Sequence, residues 1–299
     1  MTKSQASDSA AAQQAGILPA ETGARTVEDG GTGPYPALMA SDSTLATHTI
    51  FRPRDLAVFD GKNRLPVFAW GNGACANSPW EHLNFLSEVA SHGFLVIAIG
   101  PMPGEGERGS GRSKSSQLID AIDWAAAQND DPSGPYHGKI DIHNMAVGGM
   151  SCGGLQAYEA APDPRVKTVM ICNSGIFIPG TEPGGGRGGL PGMPALTKDL
   201  LAKLHSPVLY LLGGESDIAY RNGMDDFVRV SHVPVFAANL DVGHGGTYGR
   251  PHGGDFAVVA TAWLKWRLKG DADAGRMFSG DSCGVSRMPG WRVEKKNIP

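Results

Sequence analysis

The stretch "NMAVGGMSCGGLQAYEAA", Asn144 to Ala161, decides the fold. Its first part is an apolar run with glycines at its end, the pattern of a strand buried on both faces, and its second part is compatible with a helix. Between them, Gly149-Met150-Ser151-Cys152-Gly153 matches G-x-S-x-G. A strand that turns sharply into a helix through such a pentapeptide projects the serine from the top of a sheet, because the small flanking residues let the backbone bend. Serine and cysteine stand side by side here, and register favours Ser151. Centring the motif on Cys152 would put Met150 where the first glycine belongs.

Outward from this turn, Leu65 to Asp271 alternates short apolar runs with amphipathic stretches. That pattern predicts one α/β domain with a mostly parallel central sheet and helices on both faces. The strand candidates are Leu65 to Trp70, Phe94 to Gly100, Asn144 to Met150, Val166 to Ser174, Pro207 to Gly214 and Val233 to Leu240. Helical spacing relates Leu118, Ile122 and Ala126 in one segment and Phe256, Ala260, Trp263 and Arg267 in another. "HTIFRP", His48 to Pro53, reads as an antiparallel edge strand with one face exposed. The expected layout is a disordered tail over 1–30, the main domain over 31–270, and a C-terminal extension over 271–299 packed on that domain.

A serine hydroxyl is a poor nucleophile at neutral pH unless a base takes its proton, and the base works best when a carboxylate holds its tautomer. Two late strands are followed by such groups. "PVLYLLGG" leads into Glu215 and Asp217, and "VPVFAANL" leads into His244. Asp217 is preferred to Glu215 because a residue further beyond the strand can turn back towards the histidine. His244 is preferred to His252, which sits at the start of the final helix pattern rather than after a strand. The order Ser151, Asp217, His244 is that of a nucleophile-elbow hydrolase. Donors for a tetrahedral oxyanion are expected from the N–H of Cys152 and from "WGNGACANS", Trp70 to Ser78, with Gly73 or Ala74 donating and Asn72 orienting the loop.

The bulk numbers are consistent with an enzyme of small or polymeric substrates. The chain has 299 residues, 41% of them apolar, and a formal charge of −4. This gives no electrostatic reason to expect nucleic acid or an anionic membrane as partner. Its longest apolar runs fall far short of the ~20 residues that cross a bilayer. The first residues carry no secretory signal pattern. Localisation therefore reads as cytoplasmic if residue 1 is the native start, and as secreted or periplasmic if a leader was removed. "GEGERG", Gly104 to Gly109, matches G-x-G-x-x-G, but Glu105 and Glu107 would face a pyrophosphate, so it reads as a surface loop. "PGGGRGGLPG", Pro183 to Gly192, lacks the ending of a phosphate loop and reads as an irregular connection. The four cysteines fit no CxxC metal site, and neither a cofactor nor a metal is expected.

With these residues in place, the chain from about Gly33 to Gly270 resembles the α/β-hydrolase-fold serine esterases. The runs "GPYPALMASDSTLATHTIFRP" and "PVFAWGNGACANSPWEHLNFLSEVASHGFLVIAIG" are similar to the polyester-hydrolase, cutinase-like and dienelactone-hydrolase-like branches. Dienelactone hydrolases proper use a cysteine nucleophile where this chain has Ser151. The resemblance implies carboxylic esters as substrates, cleaved through an acyl-enzyme. Many relatives insert a helical lid after the strand ending near Ser174. Here Gly175 to Lys198 is mostly glycine and proline before the helix-like "ALTKDLLAKLH", so no large lid is expected and the pocket should be open, with Trp70, Trp80 and Phe177 as apolar walls or core. Such a pocket would suit bulky or aromatic esters, including polymer chain ends. Cys75 and Cys152 lie in the two loops expected to donate to the oxyanion. They are either a disulfide locking those loops or two small buried thiols. Cys172 reads as core, and Cys283 has no assigned partner. Acyl transfer to an alcohol, lactone opening, or a non-catalytic binding protein on the same fold are the other functions such a chain could serve. A binding module would have no need of all three triad residues.

Overall fold

In the computed structural model, which describes residues 23–180 and 193–299, the apolar runs become one nine-stranded sheet. The strands are β1 Ala37–Ala40, β2 His48–Pro53, β3 Leu65–Gly71, β4 Leu95–Ile99, β5 Ile140–Met150, β6 Val166–Cys172, β7 Val208–Leu212, β8 Val235–Leu240 and β9 Trp291–Lys296. Their order across the sheet is β1-β2-β4-β3-β5-β6-β7-β8-β9. The six from β3 to β8 are mutually parallel, while β1, β2 and β9 pair antiparallel at the two edges. The α-helices are α1 Leu83–Ser91, α2 Ser116–Asp130, α3 Cys152–Ala160, α4 Tyr220–Arg229, α5 Gly254–Lys269 and the short α6 Ala272–Gly275.

Side-chain alternation along the strands sorts the core into two layers. Val67 and Ala69 of β3 pack with Ile122 of α2, Leu155 of α3 and Phe227 of α4. Phe68 and Trp70 point the other way, to Phe85 of α1 and Phe256 and Trp263 of α5. Strands buried on both faces explain the near-continuous apolar runs. Each large side chain so buried contributes about 2–3 kcal/mol of transfer free energy. This is the α/β-hydrolase fold expected from the sequence. Among the described residues no helical lid covers the sheet's upper end, and no helix is long and apolar enough to cross a membrane.

Three details differ from the sequence reading, and a fourth adds to it. First, β2 is buried along its whole length: β1 pairs with its outer edge and takes over the role of edge strand, and α1 packs on it. Second, residues 1–22 of the expected tail lie outside the described residues, but 23–30 are packed on the domain. Arg25 exchanges backbone hydrogen bonds with Met39 at 2.9 Å each, and Val27 is buried. Third, the segment around Lys198–Lys203 is a 3-10 turn rather than an α-helix. The chain is already extended at Leu204 and then enters β7 through Pro207, whose missing N–H suits a strand start. Fourth, the C-terminal extension supplies β9, whose alternation of Trp291 and Val293 with charged residues suits an exposed edge. The glycine-rich run Pro183 to Gly192 lies outside the described residues.

Candidate active site

Strand β5 ends at Met150 and α3 begins at Cys152, leaving Ser151 alone in the turn with φ 54° and ψ −115°. This left-handed conformation of a residue with a side chain is costly, and the surrounding structure holds it in place. The Ser151 N–H donates to Cys172 O at 2.9 Å, and its own carbonyl accepts from Ser174 Oγ at 2.6 Å. Glycines make the turn sterically feasible. A Cβ on Gly153 would lie 2.1 Å from Gly71 O, and one on Gly149 would lie 2.4 Å from Gly153 C. Helix α3 therefore meets β3 and β5 backbone to backbone, an approach any larger residue would block.

The loops after β7 and β8 bring two more side chains to the serine. His244 Nε2 is 3.0 Å from Ser151 Oγ, and His244 Nδ1 is 2.6 Å from Asp217 Oδ1. The carboxylate can only accept, so Nδ1 carries the proton and Nε2 faces the serine hydroxyl as a free acceptor. Asp217 is 3% exposed and takes further hydrogen bonds from the Ala219 N–H at 2.9 Å and the Gly213 N–H at 3.2 Å. Burial pushes its carboxyl pKa up, but the hydrogen bonds from His244, the Ala219 N–H and Asn173 outweigh this and hold it below the ordinary carboxylate value. Glu215, the alternative acid, is exposed. His252 is turned away from the site, towards Glu28, Asp29 and Glu88.

The loop after β3 forms the facing wall. Gly73–Cys75 is a single 3-10 turn in which Ala74 and Cys75 adopt φ 53° and 49°. Asn72, buried beneath it, donates to Ile99 O at 2.7 Å and Ala76 O at 3.0 Å. Arg112 donates to Ala74 O at 2.8 Å, and the Ser113 N–H and hydroxyl both donate to Cys75 O. A disulfide joins Cys75 to Cys152, with Cα atoms 5.1 Å apart, so the turn is covalently fixed to the first residue of α3. Cys172 and Cys283 are free and buried. Because Cys152 opens α3, its N–H has no intrahelical acceptor.

These elements enclose a pocket of about 540 Å³ lined by Gly73, Ala74, Ser151, Cys152 and His244 together with apolar walls. Phe177 lines it, joined by Met150, Leu155, Met193 and Ile218. Two expected walls are elsewhere. Trp70 is fully buried, because its position on β3 directs it under α1, with its ring centroid 5.1 Å from that of Phe85. Trp80 stacks under the guanidinium of Arg108 at 4.8 Å, outside the pocket, where its neighbour Glu81 is on the lining instead. Asn72 does not line the pocket either and bears on it through the turn alone. Among the described residues no cluster of His, Cys, Asp or Glu is arranged to hold a metal.

The segment after β6 is anchored at both described ends by α4. The Asp226 carboxylate, buried within the protein, accepts from the Ile176 N–H at 2.7 Å, Tyr158 Oη at 2.8 Å and Lys198 Nζ at 2.6 Å. Asn222 Oδ1 accepts from the Ile178 N–H at 3.2 Å. Phe177 is thus held against the pocket by polar contacts on either side of it. Two buried residues near the acid, Asn173 and Tyr248, were missed in the sequence. A signal was present for the first: an asparagine directly after the apolar run "VMIC" sits where a strand end meets the site.

A family model described as PET hydrolase-like matches residues 73–173, from the turn after β3 to the end of β6. Over these residues the chain is similar to the polyester-hydrolase-like α/β-hydrolases, a family of ester hydrolases. No curated protein matches the chain.

Proposed function

We propose that the protein is a serine esterase that hydrolyses carboxylic esters through an acyl-enzyme. The observation that carries this reading is the linear arrangement of Ser151 Oγ, His244 and Asp217, at 3.0 Å and 2.6 Å, opening into a mostly apolar pocket. The likeness to PET hydrolases over residues 73–173 supports ester chemistry independently of that geometry.

In this mechanism Ser151 attacks the ester carbonyl while His244 Nε2 accepts the hydroxyl proton. The developing oxyanion is held by the Cys152 N–H and by an N–H of Gly73 or Ala74, each such donor being worth about 3–4 kcal/mol in the transition state. His244 returns the proton to the departing alcohol, then activates a water that releases the acid and regenerates Ser151. Asp217 stays ionised and holds the imidazole in the working tautomer. Bulky or aromatic acyl groups, polyester segments among them, are the substrate class we assign. Ile218 at the pocket is 79% exposed and extends the apolar surface outward, where a substrate longer than the pocket would lie. The disulfide beside the nucleophile suits an oxidising compartment.

Hydrolysis of a series of p-nitrophenyl esters, by the protein and by Ser151→Ala, with and without prior treatment by a serine-directed phosphonate, tests the reading. Ser151→Ala should lose on the order of 10⁶ in kcat, by analogy with other serine triads. A folded Ser151→Ala variant with near-normal turnover would overturn it.

A further inference from the structure

Hydrogen bonding does not end at Asp217. Asn173 Nδ2 lies 2.8 Å from Asp217 Oδ2 and 3.2 Å from Gly243 O, and the Tyr248 hydroxyl lies 2.5 Å from Asn173 Oδ1. Asn173 and Tyr248 are both buried. We propose that these two residues are positioning residues for the acid of the triad and set how strongly it holds His244. The proposal rests on the serine-esterase reading above.

Chemistry fixes the direction of every link. Asp217 and Gly243 O can only accept, so the atom of Asn173 between them is the amide nitrogen, and the amide oxygen is left facing Tyr248. That oxygen in turn can only accept, so the phenol donates to it. Burial pushes the Tyr248 hydroxyl pKa well up, which keeps the donor proton in place. Tyr248 therefore donates to Asn173, Asn173 to Asp217, His244 to Asp217 and Ser151 to His244. Together with the Ala219 and Gly213 N–H groups, four donors converge on the two oxygens of Asp217. A carboxylate with its acceptor sites taken cannot swing, and the His244 ring is oriented with it.

The residue types are specific to this task. Asn173 has φ 43°, a left-handed conformation that asparagine adopts more readily than most residues. Glycine would relax the backbone but bring no amide. Aspartate would set a second carboxylate against Asp217. Tyr248 stands four residues after His244 on the same loop, and its ring packs against His82, Phe85 and Phe256 at centroid distances of 5.0, 5.3 and 5.4 Å. The phenol thus ties the histidine loop to the end of β6 from a rigid aromatic base.

Tyr248→Phe and Asn173→Ala test the proposal, each assayed on a p-nitrophenyl ester from pH 5 to 9 with its thermal melt recorded. The expected result is a fall in kcat of about tenfold for Asn173→Ala and about threefold for Tyr248→Phe at unchanged KM, the size of one hydrogen bond and a fraction of one. The acid limb of kcat/KM should move up by a few tenths of a pH unit, because a carboxylate that has lost a donor holds the imidazolium more strongly. Glu81 and Arg221, the other charged side chains on the pocket, and the Cys172 thiol beside Tyr248 are unchanged in both variants, so the limb reports on Asp217. In an Asp217→Asn background the effect of Tyr248→Phe should vanish, which a general packing defect would not do. Should Asn173→Ala fail to fold, Tyr248→Phe, which removes a single oxygen, decides alone. A folded Tyr248→Phe with unaltered kcat and acid limb would overturn the proposal. Ser151→Ala measured alongside separates the two claims: an active Ser151→Ala defeats the esterase reading, while an inactive one beside an unaltered Tyr248→Phe defeats the positioning role alone.

Discussion

Replacing Cys75 and Cys152 by alanine, singly and together, removes the covalent link between the turn after β3 and the start of α3 while leaving every backbone N–H in place. The disulfide closes a sequence separation of 77 residues. In the chain-entropy treatment, closing a loop of that length disfavours the unfolded state by about 4.5 kcal/mol. Spread over a chain of 299 residues, that corresponds to a fall in melting temperature on the order of 7 °C. The link also acts on the site. Ala74 and Cys75 have positive φ, and the disulfide pins the second of them to Cys152, whose N–H we propose as an oxyanion donor. Loss of one oxyanion donor outright costs about 10²–10³ in kcat. A turn that has lost its tether but keeps its hydrogen bonds to Arg112 and Ser113 should forfeit part of that, about tenfold, with KM little changed. Differential scanning calorimetry and ester kinetics at 25 °C, well below the variant's melt, read the two effects separately. A double variant that melts lower but turns over at the original kcat would refute the positioning argument and leave the disulfide a staple only. One that also melts with the parent protein would refute both.

Asp217→Asn, which leaves the shape of the site intact but offers His244 the wrong hydrogen bond, should lower kcat by about 10⁴ with modest change in KM. Asp226→Asn should act on the substrate wall instead, raising KM several-fold with a smaller change in kcat, since it loosens Ile176 and Lys198 on either side of Phe177. It should also lower stability by about 1 kcal/mol, the size of a weakened hydrogen bond, because Lys198 keeps its ion pair with Asp225, read by urea unfolding. His82 is buried with its pKa pushed down to about 3 by desolvation. The unfolded chain therefore takes up a proton below pH 6.5 that the native state refuses, and stability falls as pH drops through that window, by about 3 kcal/mol at pH 4. His82→Phe fits the same aromatic surroundings, leaves no hydrogen bond broken at the unpartnered Nδ1, and should remove that slope. Asp226, raised to about 6 by burial, contributes with the opposite sign, so the comparison is between the two urea-unfolding series from pH 4 to 7 rather than one absolute curve.

Which features could be read from the chain follows from the range over which their causes act. The elbow at Ser151 was legible because strand, glycine pattern and helix are contiguous, and the order of Ser151, Asp217 and His244 along the chain follows from topology. Trp70 was misplaced for the complementary reason. Its position at the end of an apolar strand says that it is buried but not on which side, and the face is decided by α1 and α5, distant in sequence. The same applies to β1, which is four residues long and is patterned by the strand it lies beside rather than by internal alternation. Asn173 meets Asp217 across 44 residues of sequence, so its place after the apolar run "VMIC" marks a strand end without naming the partner, and Tyr248, which acts through Asn173, has no local signal at all.

Strain in the backbone supplies a local signature that sequence patterning lacks. Seven described residues other than glycine have positive φ, and four of them, Ala74, Cys75, Ser151 and Asn173, lie at the site. Each such residue costs of order 1–3 kcal/mol and persists only where the surroundings over-determine it. Here the surroundings are identifiable: Arg112, Ser113 and the disulfide for the first two, the Gly71, Gly149 and Gly153 backbone contact for Ser151, and Tyr248 with Asp217 for Asn173. The rest of the sheet follows its local preferences closely, so the free energy that holds these four residues comes from an ordinary, well-packed core. If that is right, the cost is recoverable. Asn173→Gly, which relieves the left-handed strain while deleting the amide, should cost less stability than Asn173→Ala, while both lose kcat alike. Equal stabilities for the two variants, measured by urea unfolding, would show that the backbone at 173 stores no strain.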